Sequence, residues 1–472
     1  MWIRQVALAA LIAAGLTGQT AEVFVEKPYL QLGNSPKLAK SESMMVIWHA
    51  ADDAARWGVE VQCAGEKKWR AGSTPAAQVV DAPEIPKHKV YRAMVSGLKP
   101  GEEFWYRVSR DGKVVFEAGS RARKSATQPV RFALFGDSSA NTPGQRAVAN
   151  QVAAAKPDFV FVTGDIVYTA GRISEYREKF FPIYNAEVAS PETGAPLLRS
   201  VPFIAAPGNH DTALTNFQKF PDALAYFLYW DQPLNGPSGI RETRAVHHLM
   251  GSEAAQPAFL AAAAPRYPTM ANFSFDYGNA HWTVLDSNAY MDWSTPELVD
   301  WVKKDLEAAK SATWRFVAFH HPGFNSSQKH FTDQWMRLLS PVFEAGKVDV
   351  VFAGHVHNYQ RSFPLTFTPK LQQDGAKQDP KGEVAGDWVL DKEFGNGAAK
   401  KPAGVIYIVS GGGGAGLYDP LQMRQPETWQ GFTDKFISDE HSFSLVDISG
   451  KTFTFKQLSA AGKELDSFRI AK

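Results

Sequence analysis

The chain reads as an α/β domain of mixed sheets flanked by helices, preceded by an all-β sandwich. Three observations lead there. Residues 22–126 hold short period-two strand patterns separated by turn signals at intervals of roughly ten residues. From residue 127 to residue 472, apolar strand runs alternate with helical stretches, the rhythm of βαβ units. Polar, ligand-type residues follow most of those strands, and open α/β sheets gather their ligands at the carboxyl ends of strands.

The first element is a targeting segment. Met1-Trp2-Ile3-Arg4-Gln5 carries one positive charge, residues 6–16 are apolar, and the small residues Gly18 and Ala21 follow. This pattern predicts a secretory signal over residues 1–21, cleaved after Ala21, and a secreted or periplasmic protein. The apolar run is too short to span a bilayer, and no later stretch is apolar enough, so no membrane span is expected after cleavage. The formal net charge of +1 points to no polyanion partner, so no nucleic acid is expected beyond nucleotides. Cys63 is the single cysteine, which leaves core burial rather than a disulfide to hold the fold.

Strand patterns at 43–48, 57–63, 90–95, 104–108 and 114–116 make up the sandwich, with Asp111-Gly112 turning a hairpin. The run Leu98-Lys99-Pro100-Gly101-Glu102-Glu103-Phe104-Trp105-Tyr106-Arg107-Val108 resembles a fibronectin type III module. This region offers no chemistry and reads as a scaffold. After the polar linker 124–129, strands are expected at 130–135, 159–163, 202–206, 281–286, 315–319, 348–353 and 404–410, with helices at 143–155 and 296–309. The stretch 212–270, rich in aromatic residues, is expected to form part of a pocket wall. The Lys-, Asp- and Gly-rich stretch 365–403 reads as a solvated excursion. Strands 443–448 and 452–458 close the chain as a hairpin.

Five strand ends carry the chemistry. Gly136-Asp137-Ser138-Ser139 follows the first. Gly164-Asp165-Ile166-Val167-Tyr168 follows the second, and Pro207-Gly208-Asn209-His210-Asp211 the third. His320-His321-Pro322 and Gly354-His355-Val356-His357 complete the set. Asp or Asn after Gly is commonly just a turn residue. Five such ends supplying carboxylate, phenol, amide and imidazole donors point instead to a metal site.

This set resembles the calcineurin-like metallophosphoesterases, and within them the purple acid phosphatases. The resemblance extends to Pro28-Tyr29-Leu30-Gln31, Phe273-Ser274-Phe275-Asp276-Tyr277-Gly278 and Tyr407-Ile408-Val409-Ser410-Gly411-Gly412-Gly413-Gly414. It implies the metallophosphoesterase type of α/β fold and a dinuclear centre with metals about 3.5–4 Å apart. Asp137, Asp165, Tyr168 and His357 would hold Fe(III). Asp165, Asn209, His320 and His355 would hold a second divalent metal, Zn, Mn or Fe(II), with Asp165 bridging. Hard anionic donors suit the trivalent ion, and imidazole with amide oxygen suits the divalent one. Many superfamily members place a His ligand where this chain has Ser139, and Tyr168 fills that gap. Asp211 stands where Glu often follows the Asn-His pair.

The implied activity is acid phosphatase action on small-molecule phosphate monoesters, through attack by a hydroxide held on the metals. His210 is the first candidate to protonate the leaving group and His330 the second, with Lys329 beside it. His321, His247 and His248 receive no role. Two other readings stay open: a phosphodiesterase or nucleotidase on the same metals, and an inactive binding protein.

Overall fold

A computed structural model describes residues 23–237, 248–251, 253–370, 382–395 and 401–472. The expected signal over 1–21 and His247 lie outside the described residues. Among these, no helix is long and apolar enough to cross a membrane.

The N-terminal domain is two packed antiparallel sheets. One orders Glu26–Gln31, Glu42–Ala51, His88–Leu98 and Ala76–Val80. The other orders Arg70–Ala71, Trp57–Cys63, Glu103–Arg110 and Lys113–Arg121. Period-two alternation puts Val46, Trp48, Val59, Val61, Tyr91, Phe104 and Tyr106 between the sheets. Trp48 and Tyr91 stack with centroids 5.4 Å apart.

Two larger sheets follow. In the first, Phe203–Ala205, Phe159–Val162 and Val130–Phe135 run parallel, and Ser442–Ser449, Thr452–Ser459 and Glu464–Ala471 add on antiparallel. The second orders Phe273–Tyr277, Ala280–Val284, Trp314–Ala318, Val350–Ala353, Ile406–Ser410, Tyr359–Ser362 and Thr433–Ile437, parallel through its centre. The sheets face each other across an aromatic core of Phe132, Phe159, Phe161, Trp282, Phe316 and Phe352. Strands such as Phe159–Val162 and Val350–Ala353 are buried throughout, which is why they read as unbroken apolar runs.

Helix Pro143–Ala155 starts where Thr142 caps Gln145 N with its hydroxyl and Pro143 supplies a preset φ. Helix Pro296–Ala308 buries Leu298, Val302 and Leu306 at helical spacing. The parallel strands of both sheets end on the same side, which places their connecting loops together.

Three expectations are refined. The 212–270 stretch does form part of a pocket wall, through Phe217, Leu228, Phe259 and Ala262 beside Val80 and Pro83, while Tyr226, Phe227, Tyr229 and Trp230 are buried. They form the seat of the sandwich: Tyr29 donates to the Tyr229 carbonyl at 2.7 Å, and His88 Nε2 lies 3.0 Å from the Tyr229 hydroxyl. The 365–403 stretch is not all solvated. Leu365–Pro369 and Gly386–Leu390 pair antiparallel, and Phe367 packs edge-on against Phe324 at 5.3 Å. The terminal hairpin pairs as expected and gains a third strand, Glu464–Ala471.

The sandwich is locked down by buried ions. Arg123 and Glu42, both 1% exposed, pair at 2.7 Å. Arg123 also donates to the carbonyls of Ser35, Lys37 and Asp276, so the guanidinium joins the sandwich, its approach loop and the second sheet. Arg92 pairs with Asp231 at 3.0 Å and donates to the Leu228 carbonyl at 2.6 Å.

A buried imidazole braces the edge of the second sheet. His281 Nδ1 lies 2.7 Å from Asp276 Oδ1, and Nε2 lies 3.0 Å from Asp305 Oδ2. A carboxylate only accepts, so both ring nitrogens must carry protons. Burial pushes the imidazolium down, but the two carboxylates more than reverse this and hold it above its ordinary 6.5. Burial likewise raises Asp276 and Asp305, yet His281 holds both below their ordinary 3.8. The raised imidazole contributes stability that is fully present below pH 6.5 and is lost as pH rises through its folded value. The lowered carboxylates contribute above pH 3.8 and lose that contribution as pH falls through their folded values. His281→Asn should therefore cost about 3 kcal/mol near pH 5, the scale for breaking one partner out of a buried ion pair. The deficit should shrink at alkaline pH, as read by denaturant unfolding across the pH range.

Candidate metal centre

The loops after five parallel strands converge where the carboxyl ends of the two sheets meet. Three of the residues they deliver, Asp137, Asp165 and His355, hold positive φ of 56°, 49° and 67°. Such backbone costs on the order of 1 kcal/mol or more per non-glycine residue and collects at functional sites. Here it turns each side chain inward immediately after its strand.

The loops are stitched to each other before any side chain meets. Asp137 N, Ser138 N and Ser139 N donate to the carbonyls of Gly164, Asp165 and Ile166 at 3.1, 3.1 and 3.2 Å. The Asp211 carboxylate accepts from Gly208 N at 2.8 Å and Ile166 N at 3.0 Å, clamping the loop of Asp165 to that of Asn209. Asp211 is thus a buried brace rather than a substrate contact. Glu175 accepts from Ala170 N at 2.9 Å and Arg172 N at 3.1 Å, which fixes the chain beyond Tyr168. Around this point the chain needs glycine. A Cβ on Gly208 would come within 2.2 Å of Asp165 Oδ1, and one on Gly413 within 2.4 Å of the Gly136 carbonyl. The glycine run that closes the second sheet is a close-approach surface for the loop of Asp137.

The seven candidate ligands meet here. Tyr168 Oη lies 3.0 Å from Asp137 Oδ1 and 3.0 Å from His357 Nε2, with His357 Nε2 3.5 Å from Asp137 Oδ1. On the other side, His320 Nε2 lies 3.3 Å from Asp165 Oδ1, 3.2 Å from Asn209 Oδ1 and 3.3 Å from His355 Nδ1. His355 N donates to Asp137 Oδ2 at 2.8 Å. Asp137, Asp165 and His320 present ligand atoms within 4.8 Å of one another.

The outward nitrogens decide which ring atoms face inward. His320 Nδ1 donates to the Thr163 carbonyl at 2.8 Å, and His357 Nδ1 to the Gly416 carbonyl at 2.7 Å. Nε2 of each is therefore the atom that faces the centre, where a metal would take its lone pair. His355 is reversed: Nε2 meets Asp333 Oδ2 at 3.1 Å and Nδ1 faces His320. Two imidazole lone pairs facing each other at 3.3 Å repel unless a proton or a cation lies between them.

The electrostatics say the same. Burial pushes the Asp137 carboxyl well up. Burial opposes the Asp165 carboxylate too, but neighbouring His320 holds it below the usual range. Burial pushes the His320 ring down, and the Asp165 charge outweighs it and lifts the ring to about 9. Burial depresses His355 to about 4 and His357 to about 3, so both rings stay neutral. The cluster holds protons where positive charge is needed, and its donors of buried carboxylate, phenol, amide and neutral imidazole fit a pair of metal ions.

His210 and His330 flank this cluster. His210 Nδ1 donates to the Thr169 carbonyl at 2.6 Å, leaving Nε2 3.8 Å from Asp165 Oδ2 at the open side. His330 packs against His355, centroids 4.1 Å apart and planes tilted by 59°. His321 is buried, and burial pushes its ring well down. Ser287 Oγ accepts from His320 N and His321 N, so its own proton goes to His321 Nδ1 at 3.1 Å. His248 lies apart, its carbonyl accepting from Thr215 at 2.9 Å.

Two neighbours escaped the sequence reading. Asp333 lies in an irregular segment three residues after His330, the only hint it offered. Tyr418 stacks on His357 with centroids 3.9 Å apart and planes 12° apart, and Lys329 Nζ sits 3.7 Å from the centroid of the Tyr418 ring. Nothing in the loop sequence around Tyr418 marks it.

Residues 130–359 match the calcineurin-like phosphoesterase family. A protein of Arabidopsis thaliana described as probable inactive purple acid phosphatase 1 is 24% identical, over 98% of this chain and 73% of its own length. Purple acid phosphatase 23 of the same plant is 25% identical over 58% of this chain and 57% of its own length. Among solved structures, purple acid phosphatase PPD1 from yellow lupin (Lupinus luteus) seeds superposes with a TM-score of 0.63 at 17% identity. That match covers 95% of this chain and 75% of the lupin chain, and it shows the shared fold.

Proposed function

The chain carries a calcineurin-like phosphoesterase domain with purple acid phosphatase homologues, and from that premise we propose that it is an exported dinuclear acid phosphatase acting on phosphate monoesters. The observation that carries the reading is that Asp137, Asp165 and His320 present ligand atoms within 4.8 Å of one another, with Tyr168 and His357 beside Asp137 and with Asn209 and His355 beside His320. Asp137, Asp165, Tyr168 and His357 would hold Fe(III). Asp165, Asn209, His320 and His355 would hold Zn, Mn or Fe(II). When bound, the metals supply water activation and neutralise charge developing on the phosphoryl oxygens. The pattern of residues 1–21 supports export. One Arabidopsis relative is described as inactive; the convergence of the seven candidate donors supports the active reading for this chain.

The chain's own groups divide the remaining work. His210 Nε2, on the open side beside Asp165, holds a proton for the leaving-group oxygen. His330 Nε2 is buried with no partner among the described residues, and in the cationic form of the ring it would donate to a phosphoryl oxygen. The loops pinned by Asp211, Glu175 and Ser287 keep these groups in place without cost at the moment of reaction.

The metal assignment has a direct test. Ala at Asn209, His320 or His355 should deplete the second metal preferentially and lower turnover on p-nitrophenyl phosphate by at least about a hundredfold. Tyr168→Phe should abolish the visible charge-transfer band of the iron-loaded protein while retaining the fold. A His355→Ala protein with full occupancy and wild-type turnover contradicts the assignment.

His210 is tested by leaving group. His210→Asn removes the transferable proton but keeps a hydrogen-bond donor. It should slow alkyl phosphates, whose alkoxide needs protonation, roughly tenfold or more beyond aryl phosphates, within the range for general acid catalysis. Equal losses on both substrates contradict the proton-donor role.

A further inference from the structure

Asp333 has no part in the metal set or in the proton transfer, yet it touches both. A single oxygen, Oδ2, lies 3.1 Å from His355 Nε2 and 3.1 Å from His330 Nδ1. The carboxylate is about three-quarters buried, at 24% exposure, and its two imidazole neighbours lie deeper, at 11% and 17%. An ionised carboxylate only accepts, so each ring must turn an N–H toward it. For His355 this leaves Nδ1 as the lone-pair atom that faces His320 Nε2 at 3.3 Å. For His330 it leaves Nε2, the buried atom without a partner among the described residues, which the cationic form of the ring would offer to phosphate as a second N–H.

Burial works against the Asp333 charge, and the bonds from His330 and His355 hold the carboxyl below the usual carboxylate range. The two contacts to Oδ2 settle which N–H of each ring faces Asp333. A metal-ligating imidazole whose far N–H meets a carboxylate is oriented and made more basic by it. In this chain the same oxygen orients a second imidazole that is not a ligand.

We propose that Asp333 is a positioning residue that ties the second-metal ligand His355 to the phosphate-holding His330, so that metal affinity and phosphate affinity depend on one carboxylate. The proposal rests on the site reading given under Proposed function. Asn at position 333 can still place an oxygen between the two rings, but it lacks the negative charge that orients them and makes the ligating imidazole more basic. Glu restores a carboxylate on a longer arm.

The test uses the full-length metal-loaded protein with Zn and inorganic phosphate as probes. Asp333→Asn should raise the dissociation constant of the second metal about 10–100-fold, the range for losing such a support, and leave iron content unchanged. It should also raise the inhibition constant for inorganic phosphate, and His330→Ala/Asp333→Asn should show no further rise over His330→Ala alone, since the two residues act as one unit. Asp333→Glu should recover most of the metal affinity. Unchanged metal affinity in Asp333→Asn overturns the proposal, and so does an Asp333→Glu protein as weak as Asp333→Asn. A third metal equivalent in the wild type, lost in Asp333→Asn, overturns it too, by making Asp333 a ligand. If the wild type binds two metals but hydrolyses no phosphate ester, the proposed activity fails while the metal-affinity comparison still decides the role of Asp333.

Discussion

Two buried carboxylates held side by side set the terms for the rest of the structure. Asp137 and Asp165 are 0% and 1% exposed, and His320 lies between the groups they serve. Like charges in a dry interior are tolerable only if positive charge joins them. Without metals the cluster answers by raising the Asp137 carboxyl and the His320 imidazole, each keeping a proton. With metals bound, those protons would be displaced. Much of the surrounding architecture works to keep this costly arrangement in place. The left-handed backbone at Asp137, Asp165 and His355, the loop-to-loop amide bonds, the Asp211 clamp and the glycine run over Gly136 all do so.

The sheets explain why the arrangement can be held. An aromatic core of Phe132, Trp282, Phe316 and Phe352, with Phe132 to Trp282 at 5.0 Å and Trp282 to Phe316 at 4.9 Å, leaves the strand ends little freedom. The sandwich adds rigidity from one side. Its buried Arg123 reaches the second sheet, and its Tyr29 and His88 hold the aromatic segment around Tyr229. That segment in turn supports Tyr176 through Trp230, and Tyr176 leads into the helix-like turn after Tyr168. The scaffold role read from the sequence thus has a physical route to the site.

Much of this was legible from residues alone, for a reason. Strands buried on both faces are apolar over most of their length, so 130–135, 159–163 and 348–353 stood out despite Arg131 and Asp349, and a glycine followed by a donor residue marked each strand end. What escaped was set by tertiary packing. The 226–230 aromatics read as a pocket wall because nothing local says that the sandwich will cover them. The 365–369 and 386–390 strands were missed because polar residues between them dilute the pattern. Asp333 and Tyr418 act through rings brought near only by the fold. Asp211 drew notice as a departure from the family pattern, but its task as a clamp on Gly208 N and Ile166 N could be read only from the folded loops.

The central claim is that two metals share Asp165 at the meeting of the sheets. Anomalous diffraction from crystals of the loaded protein, collected at the absorption edges of iron and of the second metal, tests it most directly. The account predicts two resolved peaks. One should be iron, among Asp137, Asp165, Tyr168 and His357. The other should be a divalent metal among Asp165, Asn209, His320 and His355. A single peak, or a peak seated among His330, Asp333 and His355 in place of the second, would contradict it.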